Sequence, residues 1–216
     1  SMKSFASQAD LQPKKISFRR LSENAWAFTA EGDPNSGIIV GDDGVMVIDA
    51  QATPVMAREV IRRLRSVTSK PIKYVVNTHH HWDHLGGIRT YVHEGATIIT
   101  NEANRPYYQE VLRARPWVLE PDRYSLNPPE EWSEGYIFET VREKYILGDD
   151  TRTIELHSVT GLAHALGMLI VYIPKEKIVV QADLYNPQAT ALNASSRTFY
   201  QNLQRLKLDV TTVVGI

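Results

Sequence analysis

Thr78-His79-His80-His81-Trp82-Asp83-His84 is the stretch on which the reading of this chain turns. Four of the protein's seven histidines fall within six consecutive positions there. The stretch follows Ile72 to Val76, a short apolar run that predicts a β-strand, and it precedes Gly86-Gly87. His79 and His81 are two apart. On an extended backbone alternate side chains point the same way, so both imidazoles can reach one ion. His80, between them, is expected to point away. Asp83 and His84 come where Gly86-Gly87 permits a sharp change of direction, and they can address a second ion beside the first. Imidazole and carboxylate together suit zinc, with iron or manganese as alternatives. A solvated polar loop rarely gathers three histidines and an aspartate at a strand's end, where active sites favour such groups. Trp82 is expected to pack rather than to touch a substrate.

Upstream, residues 1 to about 15 are polar and lack periodicity, which predicts a flexible N-terminal arm before a single domain over 16–216. Trp26 to Thr29 reads as a strand. Gly37 to Val40 and Val45 to Ile48 flank Gly41-Asp42-Asp43-Gly44, the pattern of a β-hairpin, and the second run ends at Asp49. Thr53-Pro54 opens a helix, with Thr53 as N-cap and Pro54 in the first helical position. Ala57, Val60, Ile61 and Leu64 fall on one face, while Arg58, Arg62, Arg63 and Arg65 form a solvated face. Downstream, a short helix runs to about His93, and Ala96 to Thr100 is a strand. A helix near 102–114 then leads into a long, proline- and aromatic-rich connection up to Asp150, either a lid or substrate wall or a packed surface excursion. Thr153 to Val159, Met168 to Ile173 and Lys177 to Gln181 are strands. Ser195 or Ser196 caps a last helix carrying Phe199, Leu203 and Leu206, and Val210 to Ile216 is the final strand. This order predicts two sheets with helices outside them, an α/β sandwich.

Two further residues join the metal-ligand candidates. His164 lies in Thr160-Gly161-Leu162-Ala163-His164, between two strands, where a partly filled site needs a third nitrogen. Asp183 ends the apolar run Ile178 to Ala182, and a carboxylate there can bridge two cations. Asp49 ends a strand in the same way and is expected to orient a ligand histidine rather than bind metal. His93 and His157 are read as structural. Tyr185 and Asn186 follow Asp183 closely and are able to donate to a carbonyl oxygen, but packing or capping is the favoured reading.

Composition narrows the class. The chain has 216 residues, with 43% hydrophobic and 23% charged residues, which fits one soluble globular domain. A net charge of −1 argues against an electrostatic nucleic-acid binder. No apolar run approaches the ~18 residues of a membrane span. The sequence contains no cysteine, which excludes disulfides and thiolate ligands but does not choose between cytoplasm and periplasm. Ser1-Met2 reads as an expression remnant, so a leader has room to have been removed.

Taken together, His79, His81, Asp83, His84, His164 and Asp183 resemble the ligand series of the metallo-β-lactamase superfamily, His-x-His-x-Asp-His, then a distant His, an Asp and a last His. Val45-Met46-Val47-Ile48-Asp49, Asn77-Thr78, Gly86-Gly87 and Gln181-Ala182-Asp183 resemble its flanking phrases. The resemblance spans roughly residues 20 to 216. It implies a four-layer αβ/βα sandwich, with His79, His81 and His164 on the first metal, Asp83 and His84 on the second, and Asp183 bridging. Two departures stand out. The family's final His follows the last strand, yet this sequence ends at Ile216, so the expectation is a truncated chain whose second site is one ligand short. The position of Asp183 is Cys in one group of true β-lactamases, and the absence of that Cys here resembles the lactonase and thioesterase branches instead. Ala165-Leu166-Gly167-Met168 also replaces the commoner Thr-Pro-Gly-Asp. The implied activity is a zinc-dependent hydrolase, in which metal-bound hydroxide attacks the carbonyl of a small ester, thioester, lactone or β-lactam. Asp83 is the expected catalytic group, orienting that hydroxide or moving its proton. The alternatives are a phosphodiesterase of the same fold and a metal-binding sensor or accessory protein without turnover. Oligomeric state is not legible.

Overall fold

A computed structural model describes residues 16–30, 35–113, 138–150 and 152–216. The expected N-terminal arm, residues 1 to 15, and most of the proline-rich connection lie outside those residues. In chain order the elements are β1 (Ile16–Ser22), β2 (Ala25–Ala30), β3 (Ser36–Val40), β4 (Val45–Ile48), α1 (Pro54–Leu64), β5 (Ile72–Val76), α2 (Trp82–Leu85), α3 (Ile88–His93), β6 (Thr97–Asn101) and α4 (Arg105–Arg113). They continue with β7 (Phe138–Val141), β8 (Lys144–Gly148), β9 (Thr153–Val159), β10 (Met168–Ile173), β11 (Ile178–Gln181), α5 (Ala194–Arg205) and β12 (Thr212–Gly215).

The strands form two mixed sheets. Strands β1 to β7 lie side by side in chain order in the first, and the second runs β12-β11-β10-β9-β8. The first four strands pair antiparallel, as hairpins allow, whereas β4, β5, β6 and β7 pair parallel because helices return the chain between the first three of them. Strands with both faces covered read as unbroken apolar runs. Val45-Met46-Val47-Ile48 and Met168 to Ile173 are buried at every position, and their side chains feed two cores. Met46, Ile48 and Val76 meet Leu169, Val171 and Val180 between the sheets. Val45, Val47 and Val75 meet Ala57, Val60 and Leu64 of α1 outside the first sheet. A third cluster joins Ile170, Tyr172 and Val179 to Phe199 of α5. The layers are therefore helix, sheet, sheet, helix, as expected.

Local chemistry sets several ends. Thr53 Oγ1 accepts from Met56 N at 3.2 Å, so the predicted cap of α1 is present, with Pro54 inside it. The cap of α5 is Asn193, whose side chain accepts from Ser196 N at 2.8 Å, rather than Ser195 or Ser196. The irregular stretch from 101 to 150 contains β7 and β8. Strand β1 was also unexpected, because Arg19, Arg20 and Ser22 break its apolar alternation and it forms a half-exposed edge.

Gly86-Gly87 serves a purpose other than a change of direction. Both glycines have ordinary right-handed or bridge backbones, φ −59° and −93°. What matters is space: a Cβ on Gly86 would lie 2.0 Å from Ala52 O, and one on Gly87 2.3 Å from Ala50 O and 2.6 Å from Ala57 Cβ. The pair lets α2 press against the β4–α1 connection. Gly87→Ala should cost about 3 kcal/mol or prevent folding. Gly95→Ala, at φ +89° with nothing within 4 Å, should cost only about 1–2 kcal/mol. Urea unfolding of the two variants compares them, and equal losses would refute the close-packing account.

Candidate metal centre

Apolar strands deliver the site's polar residues to one rim of the sandwich. Asp49 follows β4, Asn77 to His81 follow β5, His164 lies in the β9–β10 connection, and Asp183 lies two residues beyond β11. Leu169 N donates to Thr78 O at 2.9 Å, which ties the second sheet to the histidine segment of the first.

Ligand atoms of His79, His81, His164 and Asp183 all lie within 4.8 Å of one another. The His81 ring is 4.6 Å from both the His79 and the His164 rings. Asp183 Oδ2 is 3.0 Å from His164 Nε2 and 3.3 Å from the Nε2 atoms of both His79 and His84. Those last two nitrogens are buried and have no aligned hydrogen-bond partner. Buried nitrogens of this kind, converging on one carboxylate oxygen, fit a divalent transition ion held by imidazole and carboxylate. Asp83 stands apart from the group of four, its Oδ2 3.9 Å from His84 Nε2.

His84 and Asp83 belong to the single helical turn α2, while His81 is its extended N-cap, φ −70° and ψ 143°. The chain thus leaves the strand at His81 and coils at once, which places His84 back beside His79, their rings 4.5 Å apart. His80 is not one of the four donors; its ring lies 5.4 Å from the His81 ring and 5.5 Å from that of Tyr107. Trp82 does not pack; it is 65% exposed. His157 is held by Glu155 at 2.7 Å and His93 ends α3, so neither joins the centre. Tyr185 packs against the α5 core and Asn186 accepts from Gln188 N at 2.9 Å, the packing and turn roles favoured from sequence.

The family model of the metallo-β-lactamase superfamily matches residues 29–214. This chain belongs to that superfamily. It is 28% identical over 109 residues to a type 2 metallo-β-lactamase of Bacillus cereus, a match covering 45% of this chain and 43% of that one. It is 33% identical over 75 residues to a linear primary-alkylsulfatase of a Pseudomonas species, covering 35% of this chain and 14% of that one. The chain therefore spans less than half the length of these relatives. Among solved structures it resembles a metallo-β-lactamase from Pontibacter korlensis, with TM-score 0.68 and 19% identity over 93% of this chain and 90% of that one. It likewise resembles the DIM-1 metallo-β-lactamase, with TM-score 0.68 and 15% identity over 94% and 90%.

In this superfamily member the donors are oriented by one buried carboxylate. Asp49 Oδ1 accepts from Asn77 Nδ2 at 2.8 Å and Thr78 N at 2.7 Å, and Oδ2 accepts from Thr78 Oγ1 at 2.7 Å and His84 Nδ1 at 2.8 Å. Four donors use up the carboxylate's acceptor sites, so Asp49 has none left for a metal. With an ion bound, His84 would therefore keep its proton on Nδ1 and present Nε2 to the centre. Thr78 Oγ1, having donated to Asp49, accepts from His79 Nδ1 at 3.0 Å and fixes the same tautomer there. Tyr108 of α4 donates to Asn77 Oδ1 and to His79 O, the latter at 2.9 Å, and so props the network from below. On the far side the Gln181 side chain accepts from Leu184 N at 2.8 Å and Tyr185 N at 3.0 Å, stapling the backbone around Asp183. Asp49 and Asp183 both adopt left-handed backbones, φ 60° and 58°. Sequence reasoning singled out Asp49, quoted Gln181 only within a flanking phrase and gave it no role, and missed Tyr108, which no local pattern distinguishes from a packing residue.

Burial alone would lower the His84 pKa, but the Asp183 and Asp49 carboxylates outweigh it and raise the value to about 10. The His79 and His84 imidazoles hold Asp183 far below the usual carboxylate range. Burial and the His79 and His164 imidazoles lower the pKa of His81, which favours its neutral form.

Two outcomes follow from this geometry. Thr78→Val removes the acceptor for His79 Nδ1 and should weaken zinc binding roughly 10- to 100-fold. A competition titration against a chelating dye measures this, and unchanged affinity would sink the orienting role. In metal-free protein, the raised pKa of His84 means its contribution to stability is complete below pH 6.5 and is lost as pH rises through about 10. Denaturation in chelator should show stability falling over that window, and His84→Gln should flatten the fall.

Proposed function

We propose that this protein is a metal-dependent hydrolase, with zinc the favoured ion, acting on the carbonyl of a small substrate such as a β-lactam, lactone, ester or thioester. The observation that carries the reading is the convergence of His79, His81, His164 and Asp183 within 4.8 Å at the rim of the sandwich. On this reading His79, His81 and His164 hold one ion, His84 and Asp83 address a second, and Asp183 lies between them. Ions so held supply Lewis acidity and lower the pKa of a coordinated water from about 16 to about 7. The chain's own residues do the rest. Asp83, partly exposed beside His84, orients the attacking water and takes its proton. Asp49 and Thr78 keep the imidazoles in position, and the dry strands beneath exclude bulk water. A net charge of −1 gives a polyanionic substrate no attraction.

A second reading is sulfate-ester hydrolysis, favoured by the 33% identity to a protein named as an alkylsulfatase. Metal analysis and a substrate panel test both readings: nitrocefin, a lactone, a thioester, a nitrophenyl ester, an alkyl sulfate and a bis-nitrophenyl phosphate. We expect at least about one equivalent of bound zinc, iron or manganese. Turnover is expected on a carbonyl substrate, and Asp83→Asn should lower it by roughly 10²- to 10⁴-fold with metal retained. Preference for the sulfate or phosphate ester would redirect the substrate class. No turnover on any substrate at full metal loading would overturn the enzyme reading in favour of a metal-binding sensor or accessory protein.

A further inference from the structure

The imidazoles of the centre are not all held in the same way. His79 and His84 are buried, and each has its Nδ1 on a neighbouring side chain, Thr78 Oγ1 at 3.0 Å and Asp49 Oδ2 at 2.8 Å. His164 differs. Its side chain is 29% exposed. Among the described residues its ring makes one hydrogen bond, between Nε2 and Asp183 Oδ2 at 3.0 Å. No side chain there orients its Nδ1 as Thr78 and Asp49 orient the other two. What keeps His164 at the centre must therefore be the backbone that carries it.

That backbone is residues 160–167, which join β9 to β10 beyond the pair Val159 and Met168. A connection of this length is not fixed by a tight hairpin turn, so contacts with other elements must set its path. Helix α5 supplies them. Leu162 and Ala165 pack against the cluster that contains Phe199. Asn202, only 3% exposed, grips both sides of Thr160: Oδ1 accepts from Thr160 N at 3.1 Å, and Nδ2 donates to Thr160 O at 2.9 Å. The amide is itself oriented, because Arg205 Nη2 donates to Oδ1 at 2.8 Å and Nδ2 donates to Thr198 O at 2.9 Å. Arg205 Nη2 also donates to Ser158 O at 3.1 Å, inside β9. At the other foot of the loop, Asn104 Nδ2 donates to Gly167 O at 2.9 Å. A side-chain amide offers an acceptor and two donors at once, and Asn202 uses all of them.

We infer that Asn202 is a positioning residue of the metal centre: by clamping the Thr160 peptide to α5 it sets the path of the 160–167 loop and so delivers His164 to the ion. The inference rests on the reading of His164 as a metal ligand. Asn202 touches neither ion nor substrate, and it acts through the backbone. The centre is thus held by two independent devices. A buried carboxylate orients the histidines on the first sheet, and a buried amide on the outer helix orients the histidine on the second. Freeing the Thr160 foot allows an exposed loop to drift, and an imidazole with no hydrogen bond on its Nδ1 drifts with it.

The test is a double-mutant cycle on zinc affinity, measured by chelator competition for the first equivalent bound. Asn202→Ala should weaken binding roughly tenfold. In a His164→Ala background the same substitution should change affinity by less than about twofold, because the imidazole it positions is gone. The visible absorption of the cobalt-loaded Asn202→Ala protein should move toward that of His164→Ala, since both lose the same nitrogen donor. Unchanged affinity in Asn202→Ala, or an unchanged cobalt spectrum, overturns the inference. An equal loss in the His164→Ala background also overturns it, because the residue then acts only through the stability of the fold. If Asn202→Ala does not fold, Asn202→Asp is read against the same outcomes: it keeps the acceptor for Thr160 N and Arg205 but sets an oxygen against Thr160 O and Thr198 O. His164→Ala that binds zinc as tightly as the original protein overturns the ligand assignment and the inference with it. No turnover enters the readout, so failure of the hydrolase reading on the substrate panel is seen separately.

Discussion

The carboxylate of Asp49 lies wholly buried with four donors around it, and the geometry of the whole centre follows from that arrangement. An uncompensated charge at this depth would cost several kcal/mol, whereas a fully hydrogen-bonded carboxylate is a strong and directional anchor. It fixes His84 directly and His79 through Thr78, and it fixes them in the one tautomer that leaves both Nε2 atoms facing Asp183. The left-handed backbone at Asp49 costs about 1–3 kcal/mol. The hydrogen bonds that converge on the residue, including Ser36 Oγ to its carbonyl at 2.9 Å, offset that cost.

The fold exists, from the site's point of view, to bring strand ends together. Strands β4, buried throughout, and β5, buried at Ile72, Val75 and Val76, lie parallel, so Asp49 and the Asn77–His81 segment emerge side by side at the same rim. The second sheet brings Asp183 and His164 to the same rim, and the cluster of Met46, Ile48, Leu169, Val171 and Val180 between the sheets keeps water from the floor. In such surroundings hydrogen bonds and charge pairs are stronger than in water. At the rim itself the His79 and His84 imidazoles pull Asp183 well below its ordinary titration, while Asp183 and Asp49 push His84 the other way. The two glycines after His84 belong to the same construction, because only their lack of side chains lets α2 seat against Ala50 and Ala52.

How legible this was depended on whether a residue's role is local. The apolar runs of β4, β5, β10 and β11, the Thr53 cap and the helical face of α1 all follow from neighbours in sequence, and the structure contains them. Strand β1 did not announce itself, because an edge strand carries Arg19 and Arg20 on a surface that never closes. Strands β7 and β8 were hidden in a stretch rich in proline and aromatic residues. Trp82 was misread as a packing residue: a large apolar side chain usually is one, and only the helical turn of α2 turns it to solvent.

Residue type and spacing by themselves determined the sandwich class, the family resemblance and the set of candidate donors. His-x-His on an extended segment, together with carboxylates at strand ends, is chemistry written in consecutive residues. Only the tertiary structure decided which of them meet. It brought His79, His81, His164 and Asp183 together, placed Asp83 to one side near His84, and gave Asp49 its orienting place. It also recruited Tyr108 and Gln181, whose partners lie on other elements or around a turn. The physical reason is that a metal centre is a meeting of groups far apart in the chain. Their distances are set by sheet registers and by buried hydrogen bonds, and neither is a property of any one segment.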